Sequence, residues 1–194
     1  EPKASVCVYQ EDWHQGVVGL VASRLKERYW RPTIAFAPGD TGEIKGSGRS
    51  IPDVHLRDVL DLVSKQHPGL ILKFGGHSMA AGLTIPTQAL PAFQQAFDHA
   101  VVTFTGKSHF DPVIEHDGSL ATQFMNIETA ELLAQQVWGA GFPAPTFVDE
   151  FNVIHQRVLK EKHLKLRVER DGQIFDAIWF NHNELLSNTI QMAY

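Results

Sequence analysis

The period of the apolar residues changes near residue 106, and this change restricts the possible folds more than any other feature. Before it, short apolar runs alternate with helical segments. Residues 6–9 and 33–37 have the composition of buried strands, and a helix is predicted between them over residues 13–29, capped by Asp12. A strand, a helix and a strand in this order are typical of a βαβ unit. We therefore expect an α/β domain with a βαβ core.

The rest of the first half continues this alternation. Residues 43–50 are predicted to be extended, and Asp53 is placed to cap a short helix. A strand is predicted over residues 79–85, followed by an amphipathic helix over residues 90–104 that should pack on the sheet. The first domain should thus cover residues 1–106.

The second half is rich in β-strand patterns. Strands are predicted over residues 113–117 and 146–154, and a helix is predicted between them over residues 127–137. Asn126 is placed to cap this helix and Gly139 to end it. The helix is therefore an insertion among strands.

A regular hairpin follows. Residues 163–168 alternate between polar and apolar side chains, and Asp171-Gly172 predicts a tight turn into a strand over residues 174–180. Several short strands with one inserted helix suggest a partial, open barrel of the OB type. We expect this β-rich domain to cover residues 110–194 and to be truncated at its C-terminus, because its last strand is missing.

The charge of the chain limits how it can bind nucleic acid. The 17 Lys and Arg residues against 22 Asp and Glu residues give a formal net charge of −5. A protein that grips nucleic acid over its whole surface is usually basic, because phosphate neutralisation dominates the affinity. Any such binding must therefore use a local patch. Residues 108–154 contain no Lys or Arg, whereas the next sixteen residues contain Arg157, Lys160, Lys162, Lys165, Arg167 and Arg170.

The single cysteine and the absence of long apolar runs indicate a cytoplasmic protein. Cys7 cannot form an internal disulfide, and one cysteine in an apolar run fits a reducing compartment. No apolar run approaches the roughly 20 residues that span a bilayer. The N-terminus has no signal-peptide pattern. We expect no membrane partner.

Ser47 and Arg49, each flanked by glycine, form the first candidate binding motif. A hydroxyl beside a guanidinium fork suits a phosphate, because the two groups can share its oxygens. Two alternatives remain open. The segment can be an ordinary glycine–serine turn, or Arg49 can pair with Asp53 and only hold the loop.

Gly75 and Gly76, which precede His77, form the second candidate motif. Two glycines let the backbone come close to a ligand and offer amide N–H groups to an anion. The alternative is a tight turn with a hydrogen-bonded histidine. The pattern alone does not separate the two.

Both motifs belong to a larger resemblance. Residues 13–25, which begin Trp13-His14-Gln15-Gly16, precede the two glycine motifs at plausible spacing, and the three together resemble the DHHA1 domain found behind the DHH phosphoesterase domain. The second half is similar to the OB domain of the RecJ family. The Gly/Pro loop of that domain matches residues 138–147, although Phe142 stands where many members have Asn. Its strand motif matches residues 163–165.

This resemblance implies a 5′→3′ exonuclease that degrades single-stranded DNA. It implies that Ser47 and Arg49 receive the 5′-phosphate and that the loop formed by Gly75, Gly76 and His77 faces the active site. Single-stranded DNA is the implied substrate, and a single-stranded-DNA-binding protein or a helicase is a possible partner of the whole enzyme.

The same resemblance implies Mn²⁺ or Mg²⁺ as the cofactor, held by Asp and His residues of a DHH domain that precedes residue 1. The strings at residues 98–100 and 115–117 are the nearest substitutes in this chain. Neither brings together the several oxygens that a hard cation requires. We therefore expect this chain to bind no metal and to lack nuclease activity on its own.

The strand over residues 163–168 has a separate physical interpretation. Its period of two aligns His163, Lys165 and Arg167 on one face, and a row of cations on an OB strand can follow a nucleic-acid backbone. The alternative is a solvated strand face. Phe175 and Trp179 share a face of the next strand, where core packing is favoured over stacking on bases.

Two other functions fit the same motifs. One is a DHHA1-containing phosphodiesterase of short oligonucleotides or cyclic dinucleotides, although such an enzyme has no need of an OB-like second half. The other is a non-catalytic module that binds nucleic acid or accompanies a tRNA enzyme.

Overall fold

A computed structural model describes residues 3–139 and 141–194 of the chain. The chain divides into two compact units, of which the first ends at Pro112 and the second runs from Val113 to Tyr194. No helix of the described residues is both long and apolar enough to cross a membrane.

The first unit is built on a five-stranded mixed sheet with the order β1-β2-β3-β5-β4. Its strands are β1 (Val6–Tyr9), β2 (Thr33–Pro38), β3 (Glu43–Arg49), β4 (Lys73–Gly76) and β5 (Ala80–Pro86). Its helices are α1 (Val18–Tyr29), α2 (Leu56–Gln66) and α3 (Leu90–Thr105). Strands β1 and β2 are parallel, with α1 between them in the chain, and the other pairs are antiparallel. The predicted βαβ core is confirmed.

The two faces of this sheet differ sharply. On one face, α2 and α3 cover a large apolar core, in which Phe93 meets Phe36 edge-on at 5.6 Å between ring centroids and stacks on Phe97 at 5.7 Å. On the other face, Val18 and Ala22 of α1 pack against small alanines of β2 in a much smaller cluster. The sheet therefore has one fully covered face and one that is only partly covered.

The first helix begins later than the sequence predicts. Helix α1 starts at Val18 instead of residue 13, and Val17, without a capping side chain, occupies the N-cap position predicted for Asp12. The intervening residues form turns, in which the Val17 N–H donates to the His14 carbonyl and the Gly16 N–H donates to His14 Nδ1. Local side-chain bonding of this kind competes with the helix, which explains the late start.

The cap predicted for α2 is also corrected. The His55 ring accepts a hydrogen bond from the Asp58 N–H at 3.3 Å, so His55 and not Asp53 caps this helix. Asp53 instead pairs with Lys107, with 2.9 Å between Oδ2 and Nζ. At the other end of the unit, α3 stops at Thr105 because Gly106 takes the left-handed conformation with φ of 69°.

The second unit contains an antiparallel sheet with the order β8-β7-β6-β9. Its elements are helix α4 (Ile127–Ala134) and strands β6 (Val148–Leu159), β7 (His163–Arg170), β8 (Gln173–Trp179) and β9 (Thr189–Ala193). Asp171 and Gly172 both have positive φ, 51° and 78°, as a type I′ turn requires, so the predicted hairpin is confirmed.

The second sheet encloses a core without closing. Phe151, Leu164, Leu166 and Val168 are buried inside it. Among the described residues, no hydrogen-bonded pairing joins the edge strands β8 and β9, and a cleft of about 790 Å³ is lined by side chains of both. This open arrangement agrees with the predicted partial barrel.

Two predictions in this unit are wrong. Residues 113–117 form no strand, and Asp117 instead exchanges hydrogen bonds with the Thr146 backbone through both its main chain and its carboxylate. Helix α4 is capped by Asn126 as predicted, but it ends at Ala134 and not near Gly139. The Trp138 indole N–H folds back to the Leu133 carbonyl at 2.9 Å and satisfies the helix end early.

Candidate nucleic-acid interface

Ser47 and Arg49 lie on the partly covered face of the first sheet, near the end of β3. One guanidinium nitrogen, Nη1, donates to Ser47 Oγ at 3.0 Å and to the Gly48 carbonyl at 2.8 Å. Within the described residues, no carboxylate lies within 4.0 Å of this half-buried guanidinium. The alternative pairing with Asp53 is not formed, since that carboxylate contacts Lys107.

The first turn of α1 lies directly over this pair. A Cβ atom added to Gly19 would be 3.0 Å from Arg49 Nη2 and 3.4 Å from Ser47 Oγ. No side chain caps the N-terminus of α1, which is the positive end of the helix dipole. The guanidinium, the hydroxyl and the helix end therefore make a positive environment that favours an anion.

Gly75 and Gly76, predicted to lie in a loop, are the last two residues of β4, and His77 begins the short connection to β5 beside the same face. Gly76 has φ of 142°, and a Cβ atom there would be 2.4 Å from the Ala80 carbonyl oxygen, so only glycine fits. The His77 N–H donates to the same carbonyl at 2.8 Å, and the residue is exposed. The loop is thus a tight turn, with an exposed histidine at its tip.

Strand pairing brings the two glycine motifs together. Gly82 of β5 pairs with Ser47 on one side and with Gly75 on the other, so the three residues form one row across the sheet. Paired residues point to the same face, which makes the row an extension of the Ser47–Arg49 site. No local sequence pattern indicates this adjacency, because it depends on the order β3-β5-β4.

The second unit presents His163, Lys165 and Arg167 on the outer face of β7, since the residues between them are buried. Asp176 of β8 lies 3.8 Å from both Lys165 Nζ and Arg167 Nε. Exposed pairs at this distance are weak, so the two cations remain available to a stronger anion. His163 is more restrained, because its Nδ1 accepts the Asn181 N–H at 2.9 Å and its ring meets Phe180 edge-on.

Sequence reasoning named Arg157 as part of the basic segment but did not place it, or His155, on this face. His155 and Arg157 of β6 lie directly opposite Arg167 and Lys165. An irregularity in the register after Val153 turns their side chains outward. Strict alternation along β6 would instead have placed both side chains on the inner face. The tight connection between β6 and β7 predicts that the two strands pair. Together with the alternation of β7, this pairing could have indicated which residues of β6 lie beside Lys165 and Arg167.

The aromatic residues of β8 separate into two environments. Phe175 lies at the core, edge-on to Phe151 at 6.4 Å. Trp179 is half-exposed at the open cleft, where its ring stacks on His182 at 3.8 Å with 8° between the planes. The indole is therefore already stacked on a neighbouring side chain.

The strings at residues 98–100 and 115–117 are the candidates for metal ligands in this chain. Nowhere in residues 3–139 and 141–194 do three or more His, Cys, Asp or Glu side chains come together in a group that fits a metal ion. Asp98 accepts two hydrogen bonds from Ser5, and Asp117 accepts one from the Thr146 backbone. The donor set of these residues does not fit Mn²⁺ or Mg²⁺, and no chemical step of this chain is assigned to a metal.

Comparison with known families agrees with the fold of both units. Residues 3–103 match the family model of the DHHA1 domain, and the chain therefore belongs to the DHHA1 family. Residues 116–194 match the model of the RecJ OB domain. This combination and the relatives that share it show that the chain matches a part of RecJ.

Two relatives illustrate this similarity. The single-stranded-DNA-specific exonuclease RecJ of Haemophilus influenzae is 47% identical over an alignment of 186 positions that covers 93% of this chain and 32% of that protein. RecJ of Escherichia coli is 43% identical over an alignment of 197 positions that covers 97% of this chain and 34% of that protein. The chain thus spans about a third of the length of these relatives.

Solved structures show the same architecture. A crystal structure of RecJ in complex with Mg²⁺ from Thermus thermophilus superposes with a TM-score of 0.75 at 25% identity, over all of this chain and 29% of that one. The corresponding Mn²⁺ complex gives a TM-score of 0.76 at 25% identity, over 99% of this chain and 28% of that one. The DHHA1 and OB folds predicted from the sequence are confirmed.

Proposed function

We propose that this chain is the substrate-binding part of a RecJ-like 5′→3′ exonuclease acting on single-stranded DNA. In this proposal Ser47 and Arg49 bind the 5′-terminal phosphate, and the loop formed by Gly75, Gly76 and His77 faces the active site. The OB domain holds the strand through the outer face of β7.

One observation carries the proposal: the half-buried Arg49 guanidinium is fixed against Ser47, and no carboxylate of the described residues lies within 4.0 Å of it. A fixed guanidinium fork without a protein counterion is suited to bind an external anion through two charge-assisted hydrogen bonds. A terminal phosphate carries more charge than an internal one and exposes an additional oxygen. The fork can therefore distinguish the end of a strand from its interior.

The outer face of β7 supports strand binding by the second unit. Lys165 and Arg167, with His155 and Arg157 opposite them, place four basic side chains on two neighbouring strands. OB domains bind single strands along such positively charged sheet faces. A phosphodiesterase of short oligonucleotides would have no use for this second face.

Hydrolysis itself is assigned to the rest of the protein. In the proposed enzyme, Mn²⁺ or Mg²⁺ is held by Asp and His residues of a DHH domain outside this chain. The residues of this chain bind the end of the strand and orient it. We further propose that the protein acts in the cytoplasm, in DNA repair and recombination, and that a single-stranded-DNA-binding protein or a helicase supplies its substrate.

The phosphate role is tested with Arg49→Ala in the full-length protein. We expect kcat/KM on 5′-phosphorylated single-stranded DNA to fall by one to two orders of magnitude, because a charge-assisted contact contributes about 1.5–3 kcal/mol. The same substitution should change kcat/KM on 5′-hydroxyl DNA much less.

Arg57→Ala is the matched control, because Arg57 is an exposed arginine of α2, on the opposite side of the sheet. This substitution should leave kcat/KM unchanged on both the 5′-phosphorylated and the 5′-hydroxyl DNA. If Arg49→Ala slows both substrates equally, or mainly lowers the melting temperature, Arg49 does not bind the terminal phosphate.

A further inference from the structure

The exposed face that carries Ser47 and Arg49 continues across β5 and β4, beyond the part that α1 covers. Strand register arranges it in rows. The first row contains Ser47, Gly82 and Gly75, and the next row contains Lys45, Thr84 and Lys73. We call the part made by Lys45, Lys73, Gly75, Gly82 and Thr84 the glycine trough.

The two glycines of the trough are not required by the fold. A Cβ atom added to Gly75 would meet nothing within 4 Å, and one added to Gly82 would meet only the Gly46 carbonyl oxygen at 3.9 Å. Neither has the left-handed φ that favours glycine. In contrast, a Cβ atom on Gly46 would lie 2.6 Å from Phe36, and one on Gly48 would lie 2.7 Å from Leu56. Core packing therefore explains the glycines of β3, whereas those of the trough weaken their strands without a packing reason.

The charged side chains of the trough favour an anionic ligand. Lys73 is exposed, and within the described part of the chain no carboxylate lies within 4.0 Å of its amine. In the described ranges, the one carboxylate within 4.0 Å of the Lys45 amine belongs to the exposed Asp40, at 3.0 Å between Nζ and Oδ2. The Thr84 hydroxyl lies on the same face between the two lysines. Since two residues of a strand span about 6.7 Å, the lysine row is one step from the Ser47 row.

We propose that the glycine trough binds the sugar–phosphate backbone of the DNA strand whose 5′-phosphate lies at Arg49. This inference rests on the proposed function and adds a second group of contacts to it. The two missing side chains let the backbone of the strand lie directly on the sheet. Lys45 and Lys73 neutralise the next phosphates, and Thr84 donates its hydroxyl to one of them. An acidic surface of another domain would pair with the lysines equally well, but it would not need the glycine floor.

The lysines are tested by Lys45→Gln combined with Lys73→Gln in the full-length protein. Binding is measured by fluorescence anisotropy with a hydrolysis-resistant phosphorothioate oligonucleotide over a range of salt concentrations. Each phosphate contact on single-stranded DNA contributes about 0.7 to the log–log salt slope, so the slope should fall by about 0.7–1.4. The loss should be equal for 5′-phosphorylated and 5′-hydroxyl oligonucleotides, because these lysines contact internal phosphates. Lys65→Gln, on α2 at the other side of the sheet, removes one positive charge outside the trough and should leave the slope unchanged, whereas each single lysine substitution in the trough should lower it.

Gly82→Val separates ligand binding from folding. Valine favours strands, and its Cβ would meet no atom closer than 3.9 Å, so the melting temperature should stay equal or rise. DNA affinity should nevertheless fall, because the side chain fills the floor of the trough. A structural role alone for Gly82 predicts the reverse, a lower melting temperature with normal affinity.

The outcomes distinguish this inference from the proposed function. Suppose that the double lysine variant binds DNA as Lys65→Gln does, while Arg49→Ala weakens binding of the phosphorylated end. The proposed DNA-binding role of the trough is then overturned, and the end-binding role of Arg49 stands. If the lysine variant weakens binding while Arg49→Ala does not, the trough stands and the end-binding role fails. Wild-type protein that binds no single-stranded DNA overturns both.

Discussion

Asp149, at the start of β6, is the buried charge that joins the end of the chain to the second sheet. Its carboxylate accepts hydrogen bonds from Ser119 Oγ at 2.5 Å, from the Leu120 N–H at 3.1 Å and from the Tyr194 hydroxyl at 2.7 Å. Arg170 Nη1 lies 2.8 Å from it. Burial acts to raise the pKa of Asp149, but these bonds and the guanidinium outweigh it and hold the pKa below its usual value of 3.8.

The direction of this shift sets the pH range in which Asp149 stabilises the fold. A carboxyl whose folded pKa is depressed contributes stability above its unfolded pKa, and this contribution disappears as the pH falls through the folded value. The melting temperature should therefore be constant near neutral pH and decrease below about pH 4. Asp149→Asn should lower the free energy of unfolding at neutral pH by about 1.5–3 kcal/mol, and the melting temperature should fall with it. The decrease in melting temperature that the protonation of Asp149 causes in the wild type should be absent from this variant.

Asp171→Asn provides the control for this measurement. Asp171 also contacts Arg170, at 3.5 Å, but it is mostly exposed and accepts a hydrogen bond from Thr122 that an asparagine oxygen can also accept. Thermal unfolding followed by circular dichroism between pH 7 and pH 3 compares the two variants. Equal effects of the two substitutions would show that the buried network does not stabilise the second unit.

At the scale of elements, the outer face of β6 and β7 allows a charge-reversal test of strand binding. Lys165→Glu combined with Arg167→Glu should lower the affinity of the full-length protein for single-stranded DNA and reduce the log–log salt slope by about 0.7 for each lost phosphate contact. Asp176→Asn should act in the opposite direction, because it removes the carboxylate that lies 3.8 Å from both cations.

Lys160→Glu combined with Lys162→Glu changes the charge by the same amount at the turn between the two strands, outside this face. It should affect binding less than the β7 reversal does. Equal affinity of the β7 variant and the wild type at low salt would show that β7 presents only a solvated surface.

Elements defined by periodicity and turn chemistry could be predicted from the sequence, whereas helix ends set by single side-chain hydrogen bonds and adjacencies set by strand order could not. The βαβ unit and the Asp171-Gly172 hairpin depend on short-range periodicity and turn chemistry, and both are confirmed. The early end of α4 depends on the Trp138 indole, which folds back on the helix from outside it. The late start of α1 depends on the local hydrogen bonds of His14.

The candidate site shows the same limit. Ser47 and Arg49 could be identified as a pair from the sequence, because residues two positions apart on a strand lie on the same face. Their adjacency to Gly75 follows from β5 lying between β3 and β4, which no local pattern of the sequence encodes. The glycine trough could therefore be found only when the register of three strands was known.

At the scale of the whole chain, a net charge of −5 coexists with two cationic faces, one in each unit. A protein charged in this way avoids strong non-specific attraction to polyanions and binds them only where cations are concentrated. The proposed function assigns the face of the first unit to the end of a strand and the face of the second unit to its length. It spans about a third of the relatives that it matches.

The last prediction is that this chain alone releases no nucleotides from single-stranded DNA. Within the described residues no cluster of His, Cys, Asp or Glu fits a metal ion, and the two nearest acidic strings are engaged in hydrogen bonds within the chain. Incubated with Mn²⁺ and 5′-phosphorylated oligonucleotide, the purified chain should give only background release, while the full-length protein degrades the same substrate. Metal-dependent release that persists through an additional purification step, and that tracks with the chain in the column fractions, would contradict this and place a catalytic centre in the chain itself.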